Sequence, residues 1–201
     1  MKKELKAIDL SVKLKARALK EGFAVAGIAS IPGSSRINLR TEALERWLNN
    51  NYHKDMKWME TDRRKDIRSL LKEAKSVLSV GYNYLSTTKI NNEEFKVGKF
   101  GRGDDYHKVI KKKLKNIGNW LQKEMPDCEW KIFVDSAPIL EKAWAEESGI
   151  GWISKNSNLI NHKYGSWLLL GFLVLNKKLN PDKSSKALCG QCEKCIDQCP
   201  T

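Results

Sequence analysis

Between residues 4 and 21 the apolar positions Leu5, Ile8, Val12, Ala16 and Leu19 recur at helical spacing with lysines opposite, predicting an amphipathic helix closed by Gly22. Phe23-Ala-Val-Ala-Gly-Ile28 follows as a short buried strand, and Pro32 with Gly33 marks a loop over Ser30–Ser35. Thr41 is suited to cap a second helix that runs through Trp47 and Leu48. Residues 49–66 are polar and predict loop or broken helix. Ser76–Tyr82 is a strand candidate, and Ser86–Glu94 reads as a polar turn. A second helical stripe, Val109, Ile110, Leu114, Ile117, Trp120 and Leu121, spans residues 104–124. Trp130–Val134 predicts a strand that runs directly into Asp135-Ser-Ala-Pro138, with Pro138 opening a helix to Glu147. Gly149 and Gly151 make a turn, and the apolar run Trp167–Leu175 has the length of a buried strand. The polar stretch Asn180–Lys186 reads as a linker. Helices and strands intermix, so the expected fold is α/β (α+β), with one unit over residues 1–180 and a second beginning at 181–201.

Composition adds a packed core to this picture, since 41% of the 201 residues are hydrophobic and seven are Trp. Lys and Arg outnumber Asp and Glu by 37 to 24, a net charge of +13. Such an excess attracts polyanions, with nucleic acid first among them. The exposed face of the second helical stripe carries Lys108, Lys111, Lys112, Lys113 and Lys115, and either faces nucleic acid or is simply solvated. No apolar run reaches the roughly 18 residues of a membrane span, and the first residues lack the apolar core of a signal peptide. Four of five cysteines fall in one run, unlike a disulfide framework, which favours a reducing, cytoplasmic compartment. Cys128 stands apart as a structural cysteine.

That run, Cys189, Cys192, Cys195 and Cys199 followed by Pro200, has the C-x2-C-x2-C-x3-C-P spacing that ferredoxins use for an iron–sulfur cluster. Thiolates are soft ligands for iron–sulfur or zinc, and structural zinc is the alternative, although it usually takes two separated Cys pairs. In two-cluster ferredoxins the fourth cysteine serves the other cluster. Either one cluster takes all four thiolates here, or the chain is the front part of a longer protein. Outside the cysteines, Asp135 sits where a strand ends and a helix begins, as a pocket-lining carboxylate or as a helix cap. The turn Gly149–Ser157 offers backbone donors, Lys155 and hydroxyls for a polar cofactor, though no dinucleotide or phosphate-loop pattern is complete. Asp105-Tyr106-His107 has acid–base capacity, with a structural role at a helix start as the alternative.

Five segments in order, Gly103-Asp-Asp-Tyr106-His107-Lys108, Phe133-Val-Asp135-Ser-Ala-Pro-Ile-Leu-Glu141, Gly149-Ile-Gly-Trp-Ile-Ser-Lys155-Asn-Ser-Asn-Leu-Ile160, Tyr164-Gly-Ser-Trp167 and the cysteine run, resemble epoxyqueuosine reductase over essentially the whole chain. The resemblance implies reduction of epoxyqueuosine to queuosine at the wobble position of tRNA, with cobalamin above the substrate and two [4Fe-4S] clusters as electron relay. It implies an α/β cobalamin-binding domain followed by a ferredoxin-like module, Asp135 as proton donor, and Arg64, Asp135, Lys155, Asn156, Ser157 and Leu159 beside the cobalamin. Cys189, Cys192, Cys195 and Cys199 become cluster ligands on the same ground. The implied partners are the tRNA anticodon arm and an external electron donor, with no membrane and a monomeric protein. The rival readings are another cobalamin and iron–sulfur reductase for a small molecule, and an iron–sulfur electron carrier with an RNA-binding body. The chain departs from the family pattern in several places. Asp66–Ala74 lacks two prolines, Ser154 stands for a glycine, Lys99 for an arginine, and a second cysteine run is absent.

Overall fold

The computed structural model describes residues 2–85 and 97–200, with side chains from residue 9 onward. The turn expected over 86–94 and the stripe positions Leu5 and Ile8 lie outside that description. Helix α1 (Lys2–Lys20) leads into β1 (Val25–Ser30) and α2 (Ser35–Asn49). Three short 3-10 turns, Lys57–Met59, Asp62–Arg64 and Ile67–Ser69, precede β2 (Ser76–Asn83). After a further turn at Lys99–Gly101 come α3 (Tyr106–Glu124), β3 (Trp130–Phe133), α4 (Glu141–Glu147), the hairpin β4 (Trp152–Ile153) and β5 (Leu159–Ile160), β6 (Leu168–Leu175) and α5 (Lys194–Asp197).

The main sheet has the order β1-β2-β6-β3, and every described pair in it is antiparallel. β6 sits centrally, in register with β2 from Leu168↔Asn83 to Leu175↔Ser76. Its side chains alternate between two apolar layers, which explains why it is apolar at every position bar Gly171. Leu173 and Leu175 join Leu14, Ala18, Ile110, Leu114, Ile117 and Leu121 under α1 and α3. Phe172 and Val174 join Ile37, Ile139, Ala143 and Trp144 under α2 and α4. The architecture is therefore an α/β/α sandwich around an antiparallel sheet.

Close approach fixes α4 over β1. A Cβ on Gly27 would lie 2.0 Å from the carbonyl oxygen of Ser148, the residue that ends α4, so only glycine admits this spacing. Ser148 Oγ donates to Trp144 O at 2.7 Å and lies 2.7 Å from Ser79 Oγ on β2. Two buried carboxylates tie the same helix to its neighbours. Glu147 accepts from Ser34 N and Ser34 Oγ at 2.7 and 2.8 Å, and Glu146 accepts from Arg40 Nη2 and Ile153 N at 2.9 and 3.0 Å.

Several sequence expectations are corrected. The buried stripe of α1 is Ser11, Leu14 and Ala18, whereas Val12 and Leu19 are exposed. Ser11 is buried because its Oγ accepts from Asn180 N at 2.8 Å, a partner that no local pattern reveals. α2 starts at Ser35 with Ser34 as its cap, and the Thr41 hydroxyl instead donates to Ile37 O at 3.0 Å. α4 starts at Glu141, three residues after Pro138. The stretch after Asn180 is docked against the sheet, because Asp182 Oδ2 accepts from Ile28 N and Asp182 N donates to Ile28 O, at 2.9 and 2.8 Å. It thereby covers part of the open edge of β1.

Candidate functional site

β3 delivers the chain to Asp135, whose φ of +57° places a non-glycine residue in the left-handed region. Asp tolerates that region better than most residues. The backbone turns sharply there, with Ser136 N donating to Val134 O at 2.7 Å, and this aims the carboxylate at the start of α3. Asp135 Oδ2 accepts from Tyr106 Oη at 3.1 Å and lies 3.0 Å from His107 Nε2. The other imidazole nitrogen, Nδ1, lies 2.9 Å from Asp105 Oδ1. Asp105 also caps α3 by accepting His107 N at 3.0 Å. Because Leu140 is the residue ahead of α4 and makes no side-chain cap bond, the cap reading of Asp135 is overturned.

The charges in this cluster support one another. His107 binds its proton more tightly than an ordinary imidazole, first because of the bond to Asp135 and then because of the bond to Asp105. Asp105 is held below the usual carboxylate range by its bond to His107. The Tyr106 phenol is pushed up to about 12 by burial and by its bond to Asp135, so it stays a donor. Asp135 itself is exposed. The arrangement is a carboxylate at a solvent-facing lip, backed by a phenol and by an imidazole that holds its proton more tightly than usual. It can take a proton from His107 Nε2 and present it outward.

Behind the lip stands Glu141. Its Oε1 accepts the backbone N–H of Asp135 at 2.7 Å. Burial pushes this carboxyl up to about 7, and the Asp135 N–H and the Arg64 charge pull against burial only in part. Arg64 lies in the second 3-10 turn with its guanidinium 5.1 Å from the Trp58 ring centroid. Burial lowers its proton affinity, and its Nε is buried without a protein partner. On the other side of α4, Lys142 Nζ donates to Ser157 O at 2.8 Å. Ser157 is the left-handed residue (φ +61°) of the β4–β5 hairpin turn, closed by Ser154 N to Asn158 O at 2.9 Å. Neighbouring residues of α4 therefore tie the Asp135 loop and the hairpin turn to one short helix.

Of the residues expected beside a cofactor, Lys155, Asn156 and Ser157 are exposed on that turn and Arg64 is half-buried. Leu159 is 7% exposed and packs in the core beneath α4, so its side chain is a structural element there. The orphaned Arg64 Nε and the Lys155 ammonium are donors suited to the amide and phosphate oxygens of cobalamin. The cysteine run docks at the same hairpin. Trp152 Nε1 lies 3.4 Å from Cys189 Sγ, and Lys155 Nζ lies 3.4 Å from Glu193 Oε1. The indole bond, followed by the Lys155 backbone N–H, lowers the Cys189 thiol. No disulfide joins the cysteines, so four soft donors fit a cluster chemically. Among the described residues no three metal-binding side chains converge closely enough to hold an ion.

Sequence reasoning noted Tyr106 and His107 with a structural alternative, and it missed Glu141 and Trp152. A neighbouring Asp and His at a helix start is a weak local signal, and Glu141 carries none, because its partner is a backbone amide across a loop.

A family model described as epoxyqueuosine reductase QueG, DUF1730, matches residues 64–136, the span that carries Arg64, Asp105, Tyr106, His107 and Asp135. An epoxyqueuosine reductase of Prochlorococcus marinus is 51% identical over 195 residues, covering 97% of this chain and 62% of that protein. The chain thus spans about three fifths of the length of that curated relative. A crystal structure of epoxyqueuosine reductase with an epoxyqueuosine-modified tRNA-Tyr stem loop superposes with a TM-score of 0.82 at 27% identity, covering 96% of this chain and 52% of that one. The Bacillus subtilis epoxyqueuosine reductase superposes with a TM-score of 0.81 at 25% identity and the same coverages, in a structure described as having its aspartate catalytic loop swung out of the active site.

Proposed function

We propose that this homologue of the epoxyqueuosine reductases forms the cobalamin-binding, proton-delivering part of such an enzyme, acting on epoxyqueuosine in tRNA. The observation that carries the reading is the Asp135 carboxylate, exposed at a lip and bonded to both Tyr106 and His107, in a chain half identical to a named reductase. Arg64, Lys155, Asn156 and the Ser157 turn would hold the cobalamin, and Cys189, Cys192, Cys195 and Cys199 would ligate a [4Fe-4S] cluster fed by an external donor. When bound, these groups supply the two electrons that the reduction consumes.

Removing an epoxide oxygen as water takes two electrons and two protons. Asp135 delivers a proton to that oxygen, and His107 Nε2 recharges the carboxylate across their 3.0 Å separation. Asp105 orients the imidazole and favours its protonated form. Tyr106 fixes the remaining direction of the carboxylate. The tRNA phosphates would lie along α3, on the exposed Lys108, Lys111 and Lys112, beside a groove of about 570 Å³ whose lining also includes Lys113, Glu21, Asp104 and Asp105. Lys113 has a different task. Its ammonium donates to Glu21 O and sits 5.9 Å from the Tyr82 ring centroid, so it is half-buried and engaged within the protein.

Asp135→Asn tests the assignment. Asn tolerates the left-handed backbone and keeps an acceptor for Tyr106, so folding and tRNA binding are expected to persist. Conversion of epoxyqueuosine to queuosine in the holoenzyme, followed by nucleoside mass spectrometry, is expected to fall about 10²–10⁴-fold. Turnover near that of the unsubstituted enzyme would remove Asp135 from the reaction.

A further inference from the structure

The left-handed backbone at Asp135 needs an external hold. Asp135 is exposed, its peptide follows a four-residue strand at the sheet edge, and its side chain bonds to groups that are themselves exposed or half-buried. Its anchor to the helix layer beneath is the Asp135 N–H to Glu141 Oε1 bond of 2.7 Å. Glu141 opens α4, whose residues from Ala143 to Glu147 are buried, with Glu146 and Glu147 bonded to neighbouring elements through their carboxylates. The acceptor is therefore fixed while the donor is on a loop. In the Bacillus subtilis enzyme that resembles this chain, the aspartate loop is described as swung out, so a second position of such a loop exists in a relative.

We propose that Glu141 is the positioning residue that latches the Asp135 loop in its inward state, by accepting the Asp135 N–H. The inference rests on the reading of Asp135 as proton donor for its consequence in turnover, but the latch itself does not. Charged groups face Glu141 from each side: Arg64 from the second 3-10 turn, Asp135 from the loop and Lys142 from its own helix. An ionised carboxylate accepts an amide bond more strongly than a neutral acid does. The latch therefore tightens as Glu141 loses its proton and loosens when it regains it. This couples loop position to pH in the neutral range.

Hydrogen exchange of the Asp135 amide reads the latch directly, with core amides of β6 such as Leu173 as an internal reference. Glu141→Ala is expected to raise Asp135 exchange at least tenfold while Leu173 is unchanged. Glu141→Gln retains an acceptor oxygen and is expected to restore most of the protection, without the dependence on pH that remains after correction for intrinsic exchange. In the holoenzyme, Glu141→Ala is expected to lower kcat about tenfold or more with KM for modified tRNA little altered. Unchanged Asp135 protection in the Ala variant overturns the latch, as does equal loss of protection at Asp135 and Leu173, which would mean general loosening. If Ala does not fold, a pH-dependent Asp135 exchange in the Gln variant equal to that of the parent overturns it. Lost protection with unchanged kcat keeps the latch and refutes instead the reading of Asp135 as the proton donor.

Discussion

Replacing Glu141 by Gln removes one proton-binding site from beneath the loop while leaving the side chain's size and an acceptor oxygen in place. The Glu141 side chain is half-buried, and burial raises its carboxyl from the ordinary value of 4.5 to about 7. Between those values the native chain holds a proton that the unfolded chain has released. The native state thus binds more protons, and stability falls as pH rises through this window. Below about 4.5 both states are protonated, and above about 7 both are ionised, so the loss is complete there. At 1.36 kcal/mol per tenfold change in proton affinity, the displacement corresponds to about 3 kcal/mol. Gln does not titrate and carries none of this loss. Urea denaturation of both proteins from pH 4 to 8.5 is the assay, and the difference between the two curves is the quantity of interest. Other titrating groups contribute to both curves and cancel. His107 is among them, and its raised affinity adds stability at low pH that is lost as pH rises. The Gln variant is expected to gain about 3 kcal/mol relative to the parent between pH 4 and pH 8. A difference that stays flat, or that runs the other way, would mean that the Arg64 charge and the Asp135 N–H outweigh burial, and the reasoning would fail.

Two further outcomes follow from the site. Changing Lys108, Lys111 and Lys112 together to Ala, and sparing the engaged Lys113, is expected to weaken tRNA binding and flatten its salt dependence by about one unit of slope for each phosphate no longer neutralised. An unchanged slope in a filter-binding titration would assign this face to solvent. Anaerobic reconstitution with iron and sulfide is expected to give a cluster spectrum that Cys192→Ala abolishes, and stoichiometric zinc without sulfide would refute the cluster.

Much of the fold was legible in the chain because burial on both faces of a strand leaves a continuous apolar run. Trp167–Leu175 read as a strand for that reason, Ser76–Tyr82 read as one from its valines, leucine and tyrosine, and residues 104–124 read as a helix because one wide stripe is apolar. The first helix was less legible. It carries two candidate stripes, and the one that turns inward does so partly because Ser11 meets the backbone of Asn180, 169 residues further along the chain. The cysteine run was complete as a chemical statement, since ligand type and spacing are properties of sequence. Its docking through Trp152 and Cys189 was not.

The chemistry of the candidate site divides the same way. Sequence alone determined that Asp135 ends a strand and that Asp105, Tyr106 and His107 start a helix, because both facts follow from local periodicity and turn residues. Only the tertiary structure decided that these two ends face each other, that the imidazole lies between two carboxylates, and that Glu141 holds the loop by its backbone. β3 pairs with β6, which lies far ahead of it in the chain. The positions of α3 and α4 over the sheet are set by close approaches such as that at Gly27. Distances of about 3 Å between groups 28 residues apart depend on that packing, and side-chain packing across layers leaves no periodic trace in the order of the residues.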